Sequence, residues 1–146
     1  MANVNLTRNN RFNEKRDISV FTAKLKVSDM PTSGDVYQLF QLPRESVVIG
    51  AQAIVLTAND AATSAALDLG FGGDDTLIDG GDLKSVAGTA LTAGTNAVIP
   101  AVKATGGIVT ATPTYVGAPT AGEILVIVRY VEYTKVTGEL TDYVKQ

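Results

Sequence analysis

The alternation of apolar and polar positions is clearest between Gly122 and Thr141, GEILVIVRYVEYTKVTGELT. Ile124, Val126, Val128 and Tyr130 share one parity; Leu125, Ile127, Val131 and Tyr133 share the other, interrupted by Arg129. Successive side chains of a strand point to opposite faces, so this pattern predicts a long central strand that is apolar on both sides through its middle. Such a strand calls for cover on both faces, from a packed sheet or a partner subunit.

The same periodicity recurs upstream. Ile18 to Ser28 places Phe21, Ala23, Leu25 and Val27 opposite Thr22, Lys24 and Lys26, a strand with one dry face. Met30 to Asp35 is a turn, Val36 to Leu42 a second strand closed by Pro43, and Ser46 to Thr57 a long third strand. The small residues Gly50, Ala51 and Ala53 in that third strand would let another layer approach closely. After a loop over Ala58 to Ser64, further strands are predicted at Ala65 to Phe71, at Ala97 to Lys103 with a break at Pro100, and at Gly107 to Tyr115, ending around Pro113. Gly72 to Gly81 reads as a turn-rich excursion, Asp82 to Ala87 as one helical turn, and Gly117 to Gly122 as the turn into the last strand. About eight short strands at this spacing predict an all-β sandwich or barrel. No repeat and no long helical segment is visible.

Composition narrows the function. The 146 residues suit a single domain and contain no Cys, His or Trp. Without thiol or imidazole, the chain lacks the residues on which most nucleophilic, general-base and metal-assisted schemes depend. No cofactor is implied. The N-terminus has no apolar core of a signal peptide, and the longest apolar run, Ile124 to Val128, is too short to cross a bilayer. A soluble product made in a cytoplasm is expected, with no membrane partner.

Charge adds an asymmetry. Residues 1–26 hold six basic side chains against Glu14 and Asp17, whereas the other 120 hold six against thirteen acidic ones. A basic arm on an acidic body can serve nucleic acid or an acidic protein surface equally well. Because nothing around the arm supplies base-stacking aromatics beyond Phe12, nucleic-acid binding is disfavoured. Residues 1–17 lack either periodicity, yet Val4, Leu6 and Phe12 are spaced apolar anchors among polar neighbours that include Arg8, Arg11 and Arg16. This composition fits an arm that orders on a partner, preceding a sandwich domain over 18–146.

The acidic cluster is the first candidate for chemistry. Asp68, Asp74, Asp75, Asp79 and Asp82 lie within fifteen residues, and GGDDTLIDGGD resembles one turn of a calcium-binding nonapeptide repeat. That architecture needs stacked copies and only one is present, so Asp74, Asp75, Asp79 and Asp82 are a weak cation candidate beside a plain surface loop. Glu45, Glu123, Glu132 and Glu139 mark no cleft for paired-carboxylate work. Gly70 to Gly73 and Gly106-Gly107 lack phosphate-loop spacing, and Lys84-Ser85 in a turn is too exposed for an activated nucleophile. Arg129 is the charge out of place. It reaches solvent from the edge of the sheet, pairs with Glu132 or Glu45, or forms an ion pair with a neighbouring subunit. Tyr130, Tyr133 and Tyr143 nearby are residue types common at contact surfaces.

An apolar strand running into RYVEYTKVTGEL, closing a small Ala/Gly/Thr-rich β protein with a polar N-terminal arm and an early strand ISVFTAKLKV, resembles the capsid cement (decoration) proteins of tailed bacteriophages. The resemblance implies a jelly-roll-like β-sandwich of about eight antiparallel strands with an extended N-terminal arm. It implies a dimer or trimer on the outer surface of a virion, bridging subunits of the major capsid protein against genome pressure. It carries over no catalytic residue. Contacts are expected from Val4, Leu6, Arg8, Arg11, Phe12, Arg16, Arg129, Tyr130, Tyr133 and Tyr143. The rival reading is a carbohydrate- or receptor-binding module of a head fibre or tail, using the Asp loop with calcium and Tyr115 or Phe71 as a stacking platform.

Overall fold

The period-2 segments pair as antiparallel ladders in a computed structural model that describes residues 17–133. Nine strands form: β1 (Ser19–Lys26), β2 (Tyr37–Leu42), β3 (Ser46–Thr57), β4 (Ser64–Phe71), β5 (Ile78–Asp82), β6 (Ala90–Leu91), β7 (Ala101–Lys103), β8 (Gly107–Val116) and β9 (Glu123–Glu132). A single 3₁₀ turn, Val27–Asp29, follows β1. One sheet has the order β1-β9-β3-β6, with β7 also paired to β3; the other has the order β2-β8-β4-β5.

The pairings nest. β1 pairs with β9, β2 with β8, β3 with β6 and β7, and β4 with β5. A long hairpin rolled up so that its successive rungs alternate between two sheets has this order, which is the jelly roll. β6 and β7 together fill the one rung that is split.

Between the sheets lies a dry core of alternate residues. Val48, Ala53 and Val55 of β3 and Ile124, Val126 and Val128 of β9 face Leu67 and Leu69 of β4 and Val109 and Ala111 of β8. Two bulges in β3, at Ile49 and Leu56, leave those residues exposed, and the first shifts the inward parity from Ser46 and Val48 to Ala53 and Val55. Near the open edge formed by β1 and β2, Phe21 stacks on Phe40 with ring centroids 4.0 Å apart, and Tyr130 adds a tilted contact to Phe40 at 6.0 Å.

Several expectations are corrected. The excursion at 72–81 contains the start of β5, because Leu77 and Ile78 are fully buried and β4 offers an open edge to pair with. Residues 83–87 form turns rather than a helical turn: the Asp82 carboxylate accepts the Lys84 N–H at 2.9 Å, and Leu83 is drawn into the core. Around the cis Ile99–Pro100 bond only Ala101–Lys103 is strand. Pro113 does not end β8. Its carbonyl accepts the Gly34 N–H at 2.7 Å on the side where β2 has not yet begun, so no ladder donor is required of its nitrogen. The parts of the last strand beyond Tyr133, and the arm over 1–16, lie outside the described residues.

Candidate functional site

The two sheets present unlike outer faces, and the difference is written in the parity of their strands. Outward positions in the middle of the four-stranded sheet are small and mostly polar: Thr110, Thr112 and Thr114 of β8 stand opposite Gly70, Asp68 and Ala66 of β4, with Thr110 buried where it accepts the Gly73 N–H and with Ile108 and Val116 exposed at the two ends of β8. Outward positions of the five-stranded sheet are apolar in rows. Val131 of β9, Val47 of β3 and Val102 of β7 form one row, and Leu125 of β9 with Ile54 of β3 forms another. Ile127 stands between, flanked by Thr22 and Gln52. At the β1 side Val20 is 56% exposed, and at the β7 side Val102 is 65% exposed. The double-sided pattern of β9 therefore has one face in the core and one face that no other layer of the described residues covers.

Arg129 lies in this outer face, between Val20 and Gly50 in the ladder. Its guanidinium rests across Gly50, where a β-carbon would come within 2.7 Å of Nη2 and 3.0 Å of Nε. Gly50 thus makes room for a charged side chain rather than for another layer. Arg129 itself is exposed. At the far end of the same face Lys24 pairs with Glu123 at 2.5 Å. Tyr130 has the opposite parity and turns inward to Phe40, so it is separated from Arg129 by the sheet. Tyr133 is half-buried, and its N–H donates to the Glu45 carbonyl at 2.8 Å. The contact candidates Val4, Leu6, Arg8, Arg11, Phe12, Arg16 and Tyr143 lie outside the described residues.

The acidic loop is organised by its own backbone. Asp74 Oδ1 accepts the Phe71 N–H at 2.7 Å and the Thr76 N–H at 3.1 Å. Asp68 accepts from Gly80, and Asp79 from the Asn96 N–H, while the Asn96 side-chain amide donates to Asp75. Carboxylates that accept turn N–H groups are common loop chemistry. Among the described residues no three acidic side chains converge as metal ligands. Ser85 donates to Asp82 and Lys84 Nζ to the Ala61 carbonyl, so the two do not form a nucleophile and base.

A tie missed in the sequence joins the β3–β4 and β8–β9 loops. Asp60 Oδ1 accepts the N–H groups of Thr120 and Ala121 at 2.7 and 2.8 Å, and Oδ2 accepts the Thr120 hydroxyl at 2.6 Å. These donors, the Thr120 hydroxyl foremost, hold the carboxyl well below its usual range, at about 2. Sixty residues separate the partners, so no local pattern announced them. Beside this tie Asn59 is buried, with Oδ1 accepting the Ala61 N–H at 2.8 Å and Nδ2 without a hydrogen-bond partner among the described residues. Burial, with Tyr37 nearby, raises the Tyr115 hydroxyl, which donates to the Met30 carbonyl at 3.2 Å.

The architecture defines an all-β jelly-roll protein whose distinguishing surface is an uncovered apolar sheet face crossed by one arginine. No family model matches the chain, and no curated protein sequence matches it. Solved structures do. A chain of the cyanophage Pam1 capsid asymmetric unit superposes with a TM-score of 0.58 at 15% identity, over 80% of this chain and 85% of that one. A chain of the acidic stable capsid structure of Helicobacter pylori bacteriophage KHP30 superposes with a TM-score of 0.54 at 14% identity, over 84% of this chain and 97% of that one. At these identities the likeness is one of fold. Among the described residues no helix is long and apolar enough to cross a membrane.

Proposed function

We propose that the protein is a structural component of a phage virion that binds the outside of the head and cements neighbouring major capsid protein subunits as a dimer or trimer. The observation that carries this reading is the similarity of the fold, over most of both chains, to chains of two phage capsid structures. The absence of His and Cys from the sequence and the engagement of the Asp loop in turn hydrogen bonds support a binding role over a catalytic one. The same engagement of the carboxylates favours cementing over a calcium-dependent glycan or receptor module.

In this reading residues 1–17 form the arm that lies on the capsid, with Val4, Leu6 and Phe12 as apolar anchors and Arg8, Arg11 and Arg16 meeting an acidic surface. An extended arm adds contact area but loses conformational entropy on ordering, so each copy binds modestly and symmetry multiplies the effect. Deleting residues 2–16 should weaken binding to isolated capsids at least tenfold in a sedimentation assay while leaving the thermal transition of the sandwich in place. Undiminished binding would remove the arm from the reading. Heat released on titration with calcium or a glycan panel would favour the receptor module instead.

A further inference from the structure

We infer that the cavity beneath the β8–β9 turn is a binding site for one long-lived water, which bridges Asn59 to Glu123 and closes this end of the sandwich from within. The cavity lies between the end of β1, the end of β3 and the start of β9. Leu25, Met30 and Leu83 give it apolar walls, and Thr57, Asn59 and Glu123 line it with polar groups. Its volume, about 10 Å³, suits one water and is far below what a metabolite needs. Gly122 and Glu123 also border an open recess on the surface, which gives the water a way in.

Two buried polar atoms with opposite needs point to this ligand. Asn59 is 5% exposed, and its Oδ1 accepts the Ala61 N–H at 2.8 Å. That bond fixes the orientation of the amide, since turning it over would set an NH2 group against an N–H. Nδ2 is therefore a donor, buried without a hydrogen-bond partner among the described residues. It is aimed at Gly122, where a β-carbon would lie 3.1 Å from Nδ2 and 2.9 Å from Val27 Cγ2, and Gly122 is part of the cavity wall. The second atom is an acceptor. Glu123 Oε1 is closed to solvent and has no hydrogen-bond partner among the described residues. Lys24 Nζ, 2.5 Å away, answers its charge but not along a hydrogen-bonding direction. Buried polar atoms are rarely left unmet. A cation would meet the carboxylate but face the amide protons, and an anion would do the reverse. Water does both, accepting from Nδ2 and donating to Oε1.

The position gives the water a structural task. Asn59 precedes Asp60 in the β3–β4 loop, and Thr120 and Ala121 lead through Gly122 into Glu123. The Asp60 carboxylate joins these two segments at the surface through the Thr120 and Ala121 N–H groups. The water joins the same two segments in the interior, so the loops are held by an exposed charged tie and a buried bridge. This inference uses only residues of the described sandwich and stands apart from the proposed role on a capsid.

Nuclear magnetic resonance of the full-length protein tests it. Cross-relaxation from solvent to the Asn59 side-chain NH2 protons should have opposite signs in the laboratory and rotating frames, the mark of a water held longer than nanoseconds. The exposed Asn96 amide, which donates to Asp75, should not show this reversal. The signal should persist in Thr57→Val, which excludes relay through that hydroxyl proton, and in Lys24→Met, which removes the ion pair but no partner of the water. Glu123→Leu, which removes the acceptor, should abolish the signal or shorten the residence at least tenfold, whereas Glu123→Gln, which keeps an acceptor, should retain it. Equal signs at Asn59, loss of the signal in Thr57→Val or Lys24→Met, or an unchanged residence in Glu123→Leu would overturn the bridge. Should Glu123→Leu not fold, the wild-type signs and the other variants decide the matter.

Discussion

Gly70 shows how a single missing β-carbon shapes this molecule. It is buried in β4, and a β-carbon there would run into the carboxylate and carbonyl of Asp74. That carboxylate in turn holds the Phe71 and Thr76 N–H groups. Gly70→Ala should therefore cost about 1–3 kcal/mol or more by overpacking against backbone that cannot retreat, read as a lower urea midpoint at unchanged slope. Asp60 makes a different kind of claim. Its folded pKa, about 2, lies below the ordinary 3.8, so the stability it contributes is present above pH 4 and is lost as pH falls toward 2. Amide exchange at Thr120 and Ala121 should accelerate in that window, and Asp60→Asn should make both fast at every pH while the central strands stay protected. In the sequence, Asp60 was one loop aspartate among several. Its partners at Thr120 and Ala121 become neighbours only through the fold, which is why it was not legible.

At the scale of elements, the ladders that alternate apolar with polar residues were legible, and those that do not were not. β3 forms over Ser46–Thr57 as its pattern predicts, and β9 keeps Ile124, Val126 and Val128 inward. β5 was hidden because IDGGD has no strand pattern; it exists because β4 supplies an edge and Ile78 an anchor. Pro113 looked like a stop because proline removes a donor, yet its nitrogen faces the side of β8 that β2 leaves empty. The aromatic stack at the open edge links β1 to β2 across the two sheets. A double-mutant cycle with Phe21→Leu and Phe40→Leu should show a coupling of about 1 kcal/mol in urea unfolding, and additivity would mean that the rings contribute only by area.

For the whole molecule, the nested pairing of β1 with β9, β2 with β8, β3 with β6 and β7, and β4 with β5 fixes which sheet faces lie inside and which lie outside. The amino-acid order by itself determined the all-β class, the inward parity of the main strands, the lack of thiol and imidazole side chains, and the charge contrast between the first 26 residues and the rest. These are local or additive properties: side-chain alternation follows from backbone geometry, and composition can simply be counted. Only the tertiary structure decided that the second apolar face of β9 meets no other layer among the described residues, that Arg129 crosses it on the space left by Gly50, that Tyr130 turns inward, and that the aspartates of the acidic loop hold turns. Each of those depends on which strand lies beside which, a choice settled by packing between residues far apart in the chain.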